Sequence, residues 1–308
     1  MFKRLAPVLF VLSLTACNSQ PVKEAETATP APPPKPGVAE LWSVKIGIDA
    51  PESVYVDPKS GEIYVSNIGG MPGDKDGNGR IAKISADGRT ANATWADGMN
   101  APKGLRSYEG TLWTADIDEI IGFDMATGKV KSRVKVKDAL FLNDVATGPD
   151  GTVYVSDMLA SKIYTLKGGK VSLFAEGEDL EYPNGLLVEG DSLVVGGWGS
   201  KPDPKDFSTK VLGHLFKLDL KTKVKTLVTP EPTANIDGLE SDGKGGYVIS
   251  DYIAGKILHV SADGKTKTIT TFKPGTADIA FLPAEKRLIV PHMNENKVAA
   301  YDISGALE

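Results

Sequence analysis

From Pro51 onward the chain repeats one pattern at a period of roughly 40 to 55 residues, and a repeat of that length constrains the architecture before any local reading is made. Each unit opens with a turn-rich segment and a short apolar strand, passes a Gly or Asp turn, and enters a stronger strand that usually ends on a polar residue. These stronger strands are read at 63–67, 112–116, 153–157, 193–197, 247–251 and 288–292. A third, alternating strand follows at 81–85, 120–124, 163–166, 214–218, 257–260 and 298–301. The fourth is polar and basic, as at 129–137 and 265–272, which suits an outer strand facing water. Alternation between Gly, Asp and Pro turns marks strands, and helical periodicity is nearly absent. Six units of about four strands predict an all-β chain, a six-bladed β-propeller.

The strand count supplies a check. The sixth unit stops after its third strand, one short, while a leftover strand at 41–46 precedes the first unit. If that N-terminal strand completes the last blade, the ring is closed by both ends and no sheet edge stays open. A sandwich or an open solenoid gives no reason for such complementarity. The propeller is therefore expected over residues 40–308.

The N-terminus reads as an address. Lys3 and Arg4 precede an apolar run over residues 5–14, too short for a span, which needs about 20 residues. It fits a secretory signal peptide at 1–16. Leu14-Thr15-Ala16-Cys17 resembles the bacterial lipobox, which implies an acylated Cys17 as the new N-terminus; an ordinary signal peptide with an incidental cysteine is the alternative. Asn18 after the cysteine, by resemblance to sorted Gram-negative lipoproteins, implies the outer membrane, facing the periplasm. Residues 17–39 hold the lipidated Cys17 and then Pro30, Pro32, Pro33, Pro34 and Pro36, a semi-extended tether. Cys17 is the only cysteine, so disulfides and thiolate metal sites drop out and the fold must rest on core burial. The net charge of −5 is spread along the chain without a basic cluster, which argues against nucleic acid as a partner.

In a propeller blade the start of the first strand and the end of the second lie on one face beside the axis. The six segments there are Pro51-Glu52-Ser53, Pro102-Lys103-Gly104, Leu142-Asn143-Asp144, Pro183-Asn184-Gly185, Ile236-Asp237-Gly238 and Ala277-Asp278-Ile279. Glu52, Asn143, Asn184 and Asp237 would converge as oxygen ligands from four blades. Carboxylate and carboxamide oxygens suit Ca²⁺, with Mg²⁺ or Mn²⁺ as alternatives, and no His or Cys among them suggests zinc. Four protein ligands leave positions for water or substrate. Singly, Asn-Gly and Asp-Gly read as turn formers; at one shared blade position they read as a metal site.

The repeat, with Glu52, Leu142-Asn143-Asp144, Tyr182-Pro183-Asn184-Gly185-Leu186 and Ile236-Asp237-Gly238-Leu239, resembles the gluconolactonase, senescence-marker-protein and luciferin-regenerating-enzyme propellers. Paraoxonases and diisopropylfluorophosphatase look like more distant cousins. The resemblance spans about residues 40 to 308. It implies one divalent ion in the axial channel and hydrolysis of a lactone or other ester, with Asp237 both a ligand and the catalytic base or nucleophile. Three departures narrow it. Phe141 stands where sugar-lactone members often carry arginine, which suggests a more apolar substrate or none. Ser53 replaces the usual Gly, and no histidine pair matches the paraoxonase dyad, since His214 and His259 fall inside third strands.

Other features share the metal face. Phe141, Trp198 and His292 are expected to line the substrate space. Asp74, Asp76 and Asn78, in a loop resembling the start of an EF-hand, offer a second metal site, although Ser85 stands where the bidentate Glu belongs. That loop and the one at 198–210 are expected to flank the channel mouth as a lid. Asp116, Asp157 and Asp251 recur at one position and are read as turn braces. The expected function is a calcium-dependent lactone or ester hydrolase of the cell envelope, acting on a small molecule and touching the membrane through its lipid alone. The alternative is a non-catalytic propeller binding a peptide, glycan or protein partner; a strictosidine-synthase-like reaction comes third.

Overall fold

Each repeat folds as an antiparallel meander of four strands, and the computed structural model describes residues 37–89, 91–203 and 205–307. Cys17, the signal peptide and most of the tether lie outside the described residues. Blade one comprises Pro51–Val56, Ile63–Asn67, Gly79–Ile84 and Ala91–Met99; blade two comprises Pro102–Tyr108, Thr111–Asp116, Glu119–Asp124 and Val130–Lys135. Blade three follows with Leu142–Thr147, Val153–Asp157, Lys162–Lys167 and Lys170–Glu176, then blade four with Pro183–Glu189, Ser192–Gly197, Leu215–Asp219 and Lys225–Leu227. Blade five holds Ile236–Ser241, Tyr247–Asp251, Lys256–Val260 and Thr266–Thr271. Blade six has Ala280–Leu282, Arg287–His292 and Lys297–Asp302, and its outer strand is Ala39–Val44 from the other end of the chain.

That closing strand pairs antiparallel with the third strand of blade six, Ala39 opposite Asp302 and Val44 opposite Val298. It begins two residues before the expected 41–46. Trp42 and Val44 point inward, onto the cluster shared with blade one. Among the described residues no helix is long and apolar enough to cross a membrane.

The interior is divided between neighbours. One apolar cluster joins each adjacent pair of blades, for example Tyr64, Ile81, Leu105 and Phe123 between blades one and two, and Val194, Ile236, Leu239 and Ile249 between blades four and five. Truncating such a residue to Ala typically costs about 2–5 kcal/mol. The innermost strands approach each other closely. At Gly104 a Cβ would strike Asp144 of blade three, and at Gly238 it would strike the backbone of Ile279 in blade six, so glycine lets these strands converge at the axis.

The ring meets itself through Ser53 and Asp278. Their backbones form a parallel bridge, and Ser53 Oγ donates to Asp278 Oδ2 at 2.5 Å.

Candidate metal centre

One irregularity aims the axial side chains. In each of the first five blades the innermost pair slips register just after its first residue: Pro51 faces Asn67, Pro102 faces Asp116, Leu142 faces Asp157, Pro183 faces Gly197 and Ile236 faces Asp251. Such bulges re-aim side chains and recur beside active sites. The residues that follow are Glu52, Lys103, Asn143, Asn184 and Asp237, and all five line one cavity on this face.

Two sets of side chains fix the bulges. In blades one, two, three and five the polar residue ending the second strand ties down the backbone of an adjacent turn: Asn67 Oδ1 accepts from Asp49 N at 2.9 Å, and Asp116 accepts from Asn100 and Ala101 N at 2.9 and 2.7 Å. Asp157 accepts from Leu140 and Phe141 N, each at 2.9 Å, and Asp251 accepts from Ala254 N at 3.0 Å. The brace role expected for Asp116, Asp157 and Asp251 is thus what they perform. The serine one residue earlier was not anticipated. Ser66, Ser156 and Ser250 Oγ accept from the bulge N–H groups of Ser53, Asp144 and Gly238 at 2.9, 2.9 and 2.7 Å. Ser156 and Ser250 also donate to the next blade, at Asn184 O and Ala277 O. The recurring Ser-Asn or Ser-Asp pair in 64–67, 154–157 and 248–251 was the available signal.

The four predicted ligands come together and are buried, with exposures of 4% for Glu52, 5% for Asn143, 2% for Asn184 and 3% for Asp237. Glu52 Oε2, Asn184 Oδ1 and Asp237 Oδ1 are buried without a hydrogen-bond partner. A buried polar atom without a partner costs about 1–3 kcal/mol, more when charged. Asn184 Nδ2 leans on Met158 Sδ at 3.8 Å, which turns the amide nitrogen aside from the carbonyl oxygen left over. Burial, then Asp237 and Asp278, push the Glu52 carboxyl well above its usual range. Burial and the nearby Asp144 push Asp237 up to about 8. Hard oxygens that are dry, unpaired and reluctant to ionise alone are the donor set a divalent cation takes. Among the described residues no group of three or more His, Cys, Asp and Glu side chains is arranged to hold an ion; the axial set has two carboxylates and draws its other oxygens from two amides.

A second layer lies behind. Asp144 accepts from Leu186 and Val145 N at 2.6 and 2.7 Å. Deeper still, Arg106 of blade two donates to Glu240 of blade five at 2.8 Å. Blades two and five are opposite in a ring of six, so this ion pair crosses the axis. Arg106 and Glu240 line a separate depression with Tyr55 and Phe281, which shares no residue with the metal-side cavity.

The cavity, about 370 Å³ including its open mouth, has a largely apolar wall. Phe141 and Trp198 line it as expected, and Phe207 joins them from the 198–210 loop. The Phe141 and Phe207 rings lie 5.5 Å apart, and Trp198 Nε1 donates to Phe207 O at 2.8 Å. Sequence reading missed Ile68, Met158, Tyr252 and Met293, which also line the space. Each directly follows a second strand, one residue beyond the polar ends that drew notice. His292 is a correction. It is absent from the cavity wall, its Nε2 meets Tyr301 OH at 2.9 Å, and its ring packs edge-on against Phe272. Burial holds it down to about 3, so it is neutral. His214 and His259 face Glu181 and Asp242 on outer parts of their blades.

Asp74, Asp76 and Asn78 are exposed in their loop. Both Asp76 oxygens accept from Asn78, from N at 3.0 Å and Nδ2 at 2.9 Å, while Lys75 pairs with Asp118. Only Pro72 of this segment reaches the cavity.

No family profile matches the sequence, and no curated protein matches it. Solved structures do share its fold. A gluconolactonase of Xanthomonas campestris, XC5397, superposes with a TM-score of 0.61 at 16% identity, covering 89% of this chain and 99% of that one. A catalytically inactive virginiamycin B lyase of Staphylococcus aureus with quinupristin gives 0.57 at 13%, covering 86% and 98%. A streptogramin B lyase gives 0.56 at 13%, covering 86% and 96%. The chain shares the β-propeller fold of these structures and builds it from six blades.

Proposed function

We propose that this propeller is a divalent-cation-dependent hydrolase of lactones or related esters, with Ca²⁺ as its ion. The observation that carries the reading is the trio of unpartnered oxygens, Glu52 Oε2, Asn184 Oδ1 and Asp237 Oδ1, in the wall of one axial cavity. With Asn143 they form a set of two carboxylates and two amides that would hold the ion. A bound cation would supply Lewis acidity toward a carbonyl oxygen. The chain's own residues do the rest. Asp237, whose carboxylate reaches the cavity wall, is the residue placed to act as base toward water or as nucleophile toward a carbonyl. Phe141, Phe207 and Trp198 exclude water and seat an apolar acyl or alkyl body. The likeness to a gluconolactonase supports the reaction class, and the apolar wall turns the reading away from free sugars.

The test pairs metal analysis of the purified protein with a panel of lactones and aryl esters, in calcium and in chelator. Turnover that requires the ion supports the reading. Ion binding with no turnover across the panel would leave a ligand-binding propeller in its place, and no ion binding would overturn it.

We also propose a lipid-anchored location in the bacterial envelope, at the outer membrane facing the periplasm, from Leu14-Thr15-Ala16-Cys17 and Asn18. Acyl labelling of Cys17→Ser tests the anchor; label undiminished in that variant sinks it.

A further inference from the structure

Lys103 occupies in blade two the bulge position that the four candidate ligands occupy in blades one, three, four and five. It is 1% exposed, among the most deeply buried large side chains of the protein. Lysine is almost never buried so fully unless it is paired. Its partners are poor ones for a cation: Nζ donates to Ala101 O at 2.9 Å and stands over the Phe141 ring, 4.4 Å from the centroid. An ammonium carries three donors, and only one of them is used. No carboxylate lies within ion-pairing distance of Nζ among the described residues, although Glu52 and Asp116 act on it from farther off. Asp116 already accepts from two backbone N–H groups, and Glu52 is the ion's candidate ligand. Among the described residues Lys103 is the only cationic side chain lining the cavity, and it borders the aromatic wall at Phe141.

A cation that cannot ligate a metal, beside donors that can, must face something other than the metal. The space next to it asks for an acceptor with full negative charge on an apolar body. We infer that Lys103 is the anion-recognising residue of this cavity and that the cavity takes an amphipathic monoanion, a carboxylate carried on an aromatic or aliphatic frame. This rests on the hydrolase reading, since it names the substrate class of that same site. It also gives Phe141 a double duty, as floor for the ammonium and as wall for the ligand. Charge-assisted hydrogen bonds of this kind are the strong ones. Losing one in a dry site is expected to cost at least about tenfold in affinity.

The probes are 3-phenylpropionate and its neutral isostere 3-phenylpropionamide, titrated calorimetrically into the purified chain with calcium and with chelator. The wild type should bind the carboxylate at least about tenfold more tightly than the amide. Lys103→Met should erase that preference while calcium affinity holds or improves, and Lys103→Arg should retain it. Thermal melts establish that both variants fold, and the arginine variant carries the comparison if the methionine one does not. Equal binding of the two probes by the wild type, or no binding of either, overturns the inference. A preference that survives Lys103→Met and needs calcium assigns anion recognition to the ion, overturning this inference while sparing the hydrolase reading. A carboxylate preference that needs Lys103 but no ion, in a protein that binds no calcium, supports Lys103 and overturns the metal reading instead.

Discussion

Two sets of acidic and amide side chains ring the same face of this propeller. Asp116, Asp157 and Asp251 close the second strands; Glu52, Asn184 and Asp237 open the first. All six are at most 4% exposed. Burial therefore does not separate them. Partners do: Asp116 and Asp157 spend their oxygens on backbone N–H groups, whereas each member of the axial set keeps one oxygen with nothing to accept from. A carboxylate fed by backbone donors is a structural tie, while one buried and left unfed is free to serve the proposed ion. The same residue types, a few ångströms apart, are given opposite work by what the bulge turns them toward.

The largest effect that could break this contrast is catalytic. Asp237→Asn keeps the shape and an oxygen but removes the charge and the basicity. Turnover on an established substrate should fall by at least about 10²- to 10⁴-fold, with the circular dichroism spectrum unchanged. Full activity in that variant would eliminate Asp237 as base or nucleophile.

Next comes stability, which should divide the two rings by its dependence on the ion. Asp157→Ala strands the N–H groups of Leu140 and Phe141 in the interior, so a loss of about 2–4 kcal/mol is expected in calcium and in chelator alike. Asn184→Ala removes an atom that has no partner without the ion. Its loss should appear only with calcium, up to about 2.7 kcal/mol at a hundredfold excess over the dissociation constant. In chelator its stability should match or exceed the wild type. Denaturant titrations read both, and an ion-independent loss in Asn184→Ala would make it a brace like Asp157.

The smallest effect sharpens the electrostatics. Without the ion the Asp237 carboxyl holds its proton to about pH 8, whereas in the unfolded chain it ionises near about pH 4. The folded state then binds more protons across that window, and its stability falls as pH rises through it. Protons and ion compete for the same oxygens, so the gain in Tm from calcium over chelator should widen between about pH 6 and pH 8. His292, held down to about 3, tilts stability the other way below about pH 6.5, but equally in both arms. A gain that narrows with rising pH would remove Glu52 and Asp237 from the ligand set.

What could be read in advance follows the same physics. Strand alternation and the Ser-Asp pairs are local and repeat, so the blades, the closing strand and the shared position of Glu52, Asn143, Asn184 and Asp237 were legible. Lys103 was in view at that position and was passed over, because a search for oxygen ligands has no use for an ammonium. Ile68, Met158, Tyr252 and Met293 carry no signal beyond being apolar, and only the turn after each of their strands brings them to the cavity. His292 went astray for a related reason: its strand ends on the right face, but Phe272 and Tyr301 draw the ring into a packed layer. The Arg106–Glu240 pair had no local signature at all, since its partners are 134 residues apart.

That pair has a consequence for traffic. An ion pair across the axis, behind the metal-side cavity, would leave the chamber a single door. On the hydrolase reading, reactant and product would then share one opening, on the side of the loops that carry Pro72 and Phe207. A departing acid would meet the same lysine that welcomed its precursor. Product inhibition, competitive with substrate, would be the kinetic mark of such a doorway.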